Sequence, residues 1–338
     1  MSQLIVDVVG QQLTPQEEHY LQDPSVAGVI LFTRNYTNLS QLKKLTNSIK
    51  NIRQDLLICT DQEGGRVQRF KTGFTRLPAL EILGNLHARN QQQAQDMSYK
   101  AGWLMAYELT QAGVDLSFAP VVDINYHTSQ VIGDRAFATD ADIISNLAKH
   151  YIAGMHDAGM ANSIKHFPGH GFVQADSHNE LPVDNRVLSQ ILKSDLQPFQ
   201  TLIATGKISS VMAAHILYPK IDTKPSGFSR YWLEEILRKQ LGFQGIIFSD
   251  DLSMHGAHWA GKIQQRIDMA SQAGCDLLLL CNSPKSISQS IEHMHKTGFK
   301  KINYSSLLMR NSEHRDIPAD KDYKEIQLEV EKLIHAVE

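Results

Sequence analysis

The stretch Met160-Ala161-Asn162-Ser163-Ile164-Lys165-His166-Phe167-Pro168-Gly169-His170-Gly171 begins as a short apolar run and continues with a lysine and two histidines. Asp176, Ser177 and His178 follow closely, so that one lysine and three histidines lie within 14 residues. The Pro-Gly pair and the next glycine prevent a helix from starting directly after the run. This order of residues is typical of a strand that ends in an active-site loop.

Seven other short apolar runs recur along the chain, most of them rich in β-branched residues. All eight are Leu4–Val9, Gly28–Phe32, Leu56–Thr60, Leu116–Val122, Ala161–Ile164, Ser209–Ala214, Gly245–Phe248 and Asp276–Cys281. Segments with helical periodicity separate most of them, namely Leu39–Ile52, Ala94–Ala112, Ile143–Ala158, Leu188–Ala204, Tyr231–Leu241 and Lys262–Ala273. Runs with little polar alternation favour strands that are buried on both faces, as in a parallel sheet covered by helices.

Eight strands that alternate with helices predict an α/β fold of the TIM (β/α)8-barrel type. We expect residues 1–338 to form a single catalytic domain, with a polar helical extension from about residue 285. The alternative is an open doubly wound sheet, although the Gly-x-Gly-x-x-Gly turn of a dinucleotide-binding fold is missing.

Polar residues lie at or just after each of the eight runs, which supports the barrel. They are Asp7, Arg34, Asp61, Asp123, Lys165 with His166, His215, Asp250 and Asn282. In barrels, catalytic side chains gather where the loops after the strands converge. We therefore expect these residues to surround one mouth.

Composition excludes several classes of function. The net charge of −3 and the lack of a Lys/Arg block argue against nucleic-acid binding. Cys59, Cys275 and Cys281 form no Cys-x-x-Cys pair, and Cys59 and Cys281 lie in apolar runs typical of buried core residues. The N-terminus lacks a signal-like core, and the longest apolar run, Leu277–Cys281, is too short to span a membrane. We expect a cytoplasmic protein that needs no membrane.

Three motifs carry acids and cations suited to chemistry. Asp250 and Asp251 end a strand, where one carboxylate could attack an electrophilic carbon or bind a metal while the other caps a helix. The segment from Asp61 to Arg69 contains two adjacent glycines that would let the backbone approach a polyhydroxylated ligand. Arg135 could hold a substrate, or could form a salt bridge with Asp134 or Asp140.

The spacing of Asp176 and His178 allows a local carboxylate–imidazole hydrogen bond, which would make the imidazole a proton shuttle near neutral pH. A metal-dependent hydrolase is an alternative, with His166, His170, His178, His215 and Asp250 as ligands. However, Pro168 and Gly169 break the helix that would place His166 and His170 on one face. A sugar-binding protein without catalysis would use the same acids and arginines.

From about Leu4 to Asn282 the chain closely resembles the β-N-acetylhexosaminidases of glycoside hydrolase family 3, in the short single-domain form of Gram-negative bacteria. The resemblance rests on Leu31-Phe32-Thr33-Arg34-Asn35-Tyr36, Asp61-Gln62-Glu63-Gly64-Gly65-Arg66-Val67-Gln68-Arg69, Phe118-Ala119-Pro120-Val121, Lys165-His166-Phe167-Pro168-Gly169-His170-Gly171, Asp176-Ser177-His178 and Phe248-Ser249-Asp250-Asp251-Leu252-Ser253-Met254. One departure is Ala136, where the family often has serine beside the arginine; it affects no assigned role.

The resemblance implies that Asp250 is the nucleophile and that His178, paired with Asp176, is the acid/base. It implies that the N-acetylglucosamine ring is held by Asp61, Arg69, Arg135, Lys165 and His166. It further implies a retaining enzyme without metal or cofactor that releases N-acetylglucosamine from 1,6-anhydro-N-acetylmuramyl fragments, with or without their peptide, during cell-wall recycling. We expect a monomer whose only partner is this small-molecule substrate.

Overall fold

The computed structural model describes residues 2–174, 180–309 and 320–335. Its main sheet has eight parallel strands: β1 (Gln3–Asp7), β2 (Val26–Leu31), β3 (Leu57–Thr60), β4 (Leu116–Ser117), β5 (Ser163–Phe167), β6 (Ser210–Ala213), β7 (Ile246–Ser249) and β8 (Leu277–Leu280). Their order is β4-β3-β2-β1-β8-β7-β6-β5. Parallel bridges of Leu116 with Ala161 and of Val121 with Lys165 join the two edges. The predicted barrel is confirmed, and the open doubly wound sheet is wrong.

Every residue of these eight strands is buried, as the short apolar runs predicted. One cluster of side chains fills the barrel interior and includes Ile5, Phe118, Met212, Phe248 and Leu279. Phe118 and Phe248 pack edge to face across it, with ring centroids 5.1 Å apart. A larger cluster lies between the strands and the surrounding helices. All three cysteines are free thiols and buried, which confirms Cys59 and Cys281 as core residues.

The helices of the outer ring are α1 (Pro15–Leu21), α2 (Leu39–Ile52), α3 (Leu80–Arg89), α4 (Gln91–Gln111), α5 (Ala141–Asp157), α6 (Leu188–Leu192), α7 (Leu196–Ile203), a π-helix at Tyr231–Gln240, α8 (Ile263–Ala273), α9 (Pro284–Thr297) and α10 (Asp320–His335). The single helix expected over Leu188–Ala204 is wrong, since α6 ends before Ser194 and Asp195. The Ser194 hydroxyl donates to the backbone carbonyl of Gln190 at 2.8 Å, and such local side-chain-to-backbone bonds compete with a continuous helix.

Beyond β8 the chain forms α9 and then α10, which packs on α4. The Tyr323 hydroxyl of α10 donates to Glu108 of α4 at 2.8 Å, and Lys100 contacts Glu329 at 2.5 Å. Among the helices described, none has the length and apolar character that a membrane span requires.

Candidate active site

A cavity of about 650 Å³ opens where the strands end. Apolar side chains of the barrel interior contribute Ile30, Phe118, Met212 and Leu279 to its lining. The polar lining includes six of the residues assigned from the sequence, namely Asp61, Arg69, Arg135, Lys165, His166 and Asp250. The other two, Asp176 and His178, lie outside the described residues. The loops of a barrel converge at one mouth, and they bring together residues that are far apart in sequence. Asp61 and Asp250, for example, are 189 positions apart.

Lys165 and His166 are neighbours in β5, yet both line the cavity. In a regular strand, consecutive side chains would point to opposite faces. The pairing of β5 with β6 shifts in register between Lys165 and Phe167, and this irregularity lets both side chains reach the same space.

The Lys165 ammonium lies between two carboxylates, 2.9 Å from Asp61 Oδ1 and 2.6 Å from Glu63 Oε1. Arg69 Nη2 donates to the other oxygen of Asp61 at 3.0 Å. Burial alone would lower the pKa of Lys165, but the carboxylates of Asp61 and Glu63 raise it. Burial would likewise raise the pKa of Asp61, but Lys165 and Arg69 hold it well below its ordinary value. Lys165 and Asp61 are therefore both charged near neutral pH.

Arg135 forms a bidentate pair with Glu63, with both N–O distances at 2.8 Å. The sequence suggested Asp134 or Asp140 as the salt-bridge partner of Arg135, and both suggestions are wrong. Asp134 instead pairs with Arg66 at 2.8 Å, and Asp140 caps α5 by accepting from two backbone amides. Glu63 itself is a site residue that the sequence reasoning missed. Burial opposes its ionisation, but Arg135 and Lys165 lower its pKa to about 2.

Glu63 reaches this position because residues Gln62–Gly64 and Val67–Gln68 form a small antiparallel hairpin. Gly64 and Gly65 turn the hairpin with φ values of +109° and +53°, which other residues rarely adopt. A Cβ at Gly64 would lie 2.3 Å from the carbonyl oxygen of Pro78. The sequence predicted that the backbone of these glycines approaches a ligand closely. In the structure it approaches another part of the chain, at Pro78.

Asp123 was expected at the mouth but lies behind it, only 1% exposed. Its Oδ2 lies 2.6 Å from His166 Nδ1, and its Oδ1 accepts the backbone amide of His170 at 2.8 Å. The second ring nitrogen of His166, Nε2, lies 3.5 Å from Arg135 Nη2. Asp123 therefore fixes the orientation of the His166 ring in the cavity.

Asp250 and Asp251 differ in surroundings although both line the cavity. Asp251 accepts the backbone amide of Ser253 at 2.9 Å, the Ser253 hydroxyl at 2.6 Å and the backbone amide of Cys281 at 3.0 Å. Burial raises the pKa of Asp251 to about 6, against these hydrogen bonds. The Asp251 carboxylate thus holds its turn against β8. The helix cap expected from one of the two acids is wrong, since the next helical turn, His255–Ala260, begins after Met254 without a side-chain cap.

Three further residues that follow the strands do not line the cavity. Asp7 and Arg34 form an ion pair, and Asp7 also accepts the backbone amide of Asn282 at 2.9 Å. His215 is fully buried, and its ring stacks on Phe228 with centroids 5.1 Å apart. The expectation that all the polar residues surround one mouth is therefore only partly met.

Metal ligation was the alternative chemistry. Within residues 2–174, 180–309 and 320–335, no three His, Cys, Asp or Glu side chains are grouped so that they could hold a metal ion. His166 is instead directed by Asp123, and His215 packs against Phe228.

Comparison with known proteins gives consistent results. Residues 1–307 match the model of the glycosyl hydrolase family 3 N-terminal domain. A β-hexosaminidase of Hydrogenovibrio crunogenus is 50% identical over 292 residues, which cover 86% of this chain and 82% of the relative. Among solved structures, NagZ from Neisseria gonorrhoeae in complex with N-trifluoroacetyl-D-glucosamine has a TM-score of 0.91 at 38% identity, with 98% of both chains covered. The same protein solved in complex with zinc ion gives a TM-score of 0.90 at 37% identity, again with 98% coverage of both chains.

Proposed function

This chain belongs to glycosyl hydrolase family 3, and we propose that it is a retaining β-N-acetylglucosaminidase of cell-wall recycling. Its substrate would be N-acetylglucosaminyl-1,6-anhydro-N-acetylmuramic acid, with or without a stem peptide, and it would act in the cytoplasm as a monomer. That role would bear on cell-wall biogenesis, cell shape and division. The chain is a glycoside hydrolase with β-hexosaminidase relatives, and these relatives motivate the choice of sugar.

The observation that carries the proposal is the placement of Asp250 in one cavity with the ion network of Asp61, Glu63, Arg135 and Lys165. Glu63 and Lys165 are buried, Asp61 and Arg135 are half-buried, and all four line the same open space as Asp250. Charged donors and acceptors that line an open space favour a ligand rich in hydroxyls over analogues that lack them.

The proposed chemistry is a double displacement. A carboxylate oxygen of Asp250 bonds to the anomeric carbon as the glycosidic C–O bond breaks, and His178 donates a proton to the departing oxygen. His178 then takes a proton from water, whose oxygen displaces Asp250 and releases the sugar with its configuration retained. The roles of His178 and Asp176 rest on the family resemblance.

An imidazole acid/base suits a neighbouring carboxylate nucleophile. Most retaining glycosidases use two carboxylic acids. A second ionised acid would repel the nucleophile, whereas histidine is either neutral or positive. Asp176 would stabilise the imidazolium.

The test is turnover of an aryl N-acetyl-β-glucosaminide by the wild type and by Asp250→Asn, each with and without a strong chelator. We expect wild-type activity that resists the chelator and disappears in the variant. Activity lost to the chelator would support the metal-dependent hydrolase instead. Sugar binding without turnover by the wild type would indicate a binding protein.

The proton-transfer role has its own test. His178→Ala should lose about two to four orders of magnitude in kcat/KM on a substrate with a sugar leaving group. The loss should be much smaller for a dinitrophenyl glycoside, because its leaving group departs without protonation. Equal losses on both substrates would contradict the acid role of His178.

A further inference from the structure

The Arg186 side chain is the centre of a group of contacts outside the cavity. We call Tyr126, Phe172, Asp184, Arg186 and Asp195 the Arg186 cluster. Arg186 Nη2 donates to Asp184 Oδ2 at 2.7 Å, and Nη1 donates to Asp195 Oδ2 at 2.7 Å. Tyr126 donates its hydroxyl to the same oxygen of Asp195 at 3.0 Å. Both carboxylates are 1% exposed, so the guanidinium is fixed by two buried anions.

The same guanidinium lies over the aromatic ring of Phe172. Its carbon is 3.8 Å from the centroid of Phe172, within the range of a cation–π interaction. Tyr126 meets the Phe172 ring edge to face at 5.4 Å. The Thr128 hydroxyl donates to the backbone carbonyl of Phe172 at 3.1 Å. Phe172 is thus held by contacts to Arg186 and to the loop that contains Tyr126.

The second flank is held to the barrel by its backbone. Leu217, in the loop after β6, donates to the carbonyl of Pro182 at 3.0 Å and accepts from the amide of Asp184 at 2.9 Å. Asp184 also accepts from the backbone amide of Arg186. Arg186 therefore lies on a flank of fixed position and reaches across to Phe172 on the other flank. The residues between the two flanks include Asp176 and His178.

We propose that Arg186 is a positioning residue for proton transfer, because its contact with Phe172 fixes the two flanks of the segment that carries the acid/base. This inference rests on the proposed function, in which His178 supplies the proton. Neither Arg186 nor Phe172 lines the cavity, so we place both outside the catalytic residues.

Arg186 itself is a poor first variant, since its loss would leave two buried carboxylates without a cation. Phe172 is 39% exposed, and its substitution leaves both ion pairs in place. Phe172→Leu removes the aromatic face at similar bulk, and Phe172→Tyr retains it. The two variants therefore differ in the ring contacts with Arg186 and Tyr126 and share the two ion pairs of the Arg186 cluster.

The experiment compares kcat/KM on a dinitrophenyl N-acetyl-β-glucosaminide and on chitobiose for the wild type, Phe172→Leu, Phe172→Tyr and His178→Ala. We expect Phe172→Leu to lose about tenfold on chitobiose. It should keep its activity on the dinitrophenyl glycoside, and Phe172→Tyr should restore the chitobiose activity. The proposal would be overturned if Phe172→Leu lost activity equally on both substrates, or lost none. This conclusion requires that the loss in His178→Ala still depends on the leaving group. If His178→Ala itself lacks that dependence, the proposed acid role falls and this inference falls with it.

Discussion

Asp123 Oδ2 and His166 Nδ1 lie 2.6 Å apart, and this contact decides which nitrogen His166 presents to the cavity. Burial would raise the pKa of Asp123, but His166 and His170 hold it below its ordinary value. The carboxylate is therefore ionised and can only accept, so Nδ1 carries the proton. In the neutral ring Nε2 is then an acceptor, which agrees with its position near the donor Nη2 of Arg135.

Asp123→Asn should lower kcat/KM on an aryl N-acetyl-β-glucosaminide by about ten- to a hundredfold, because a hydrogen bond to a charged group contributes about 1.5–3 kcal/mol. An amide can also turn its donor toward His166 and select the other tautomer. Asp142→Asn, in the first turn of α5, is the control for an acid outside the site. Unchanged kcat/KM in Asp123→Asn would show that the His166 ring needs no such support.

Two arginine–carboxylate pairs near the mouth differ in burial and form a matched comparison of stability. Glu63→Gln should lower the free energy of unfolding by about 3–5 kcal/mol, because Arg135 and Lys165 lose a buried partner. Asp134→Asn should cost about 0–1 kcal/mol, since the side chains of Arg66 and Asp134 are 47% and 39% exposed. Urea denaturation at neutral pH measures both. If the two variants lost similar amounts of unfolding free energy, burial would not determine the contribution of these ion pairs.

The Glu63 pair should also make stability depend on pH on the acid side. Its pKa is about 2 in the folded protein against 4.5 in the reference state, so the folded form binds its proton less readily. The contribution of Glu63 is therefore complete above about pH 4.5 and is lost as pH falls toward 2. Glu63→Gln should remove this part of the acid-side loss, as measured by unfolding at a series of pH values. A parallel pH profile for wild type and variant would refute the assignment.

Asp251 should have the opposite effect. Burial raises its pKa from 3.8 to about 6, so the folded protein binds this proton more tightly than the unfolded chain does. The wild type should therefore lose stability relative to Asp251→Asn as pH rises from about 4 to about 6. The difference between their free energies of unfolding over this range is the measurement. A constant difference across the range would mean that Asp251 does not titrate there.

Much of the fold followed from local patterns. The eight short apolar runs correspond to the eight strands, because a strand buried on both faces must be apolar along its length. The amphipathic segment Leu39–Ile52 matches α2 at both ends. The helices α1 and α3 were not predicted. The break between α6 and α7, where the Ser194 hydroxyl bonds to the Gln190 carbonyl, was not predicted either.

Some residues of the candidate site were predicted from the sequence, and others were recognised only in the structure. Strand ends and the family motifs indicated Asp61, Arg69, Arg135, Lys165, His166 and Asp250, all of which line the cavity. Glu63 lies within a quoted motif but received no role, since nothing in the sequence shows that its hairpin directs it toward Arg135 and Lys165. Asp123 was noted only as a strand-end residue, and its contact with His166 joins positions 43 residues apart.

The sequence by itself determined the barrel and the set of polar residues at its mouth, because burial and strand periodicity are local properties that repeat along the chain. Only the tertiary structure decided the partners: Glu63 with Arg135 and Lys165, Asp123 with His166, and Asp251 with the turn beside β8. The physical reason is that an ion pair is fixed by distance and orientation in space. Residues from different loops acquire these only after the barrel has closed.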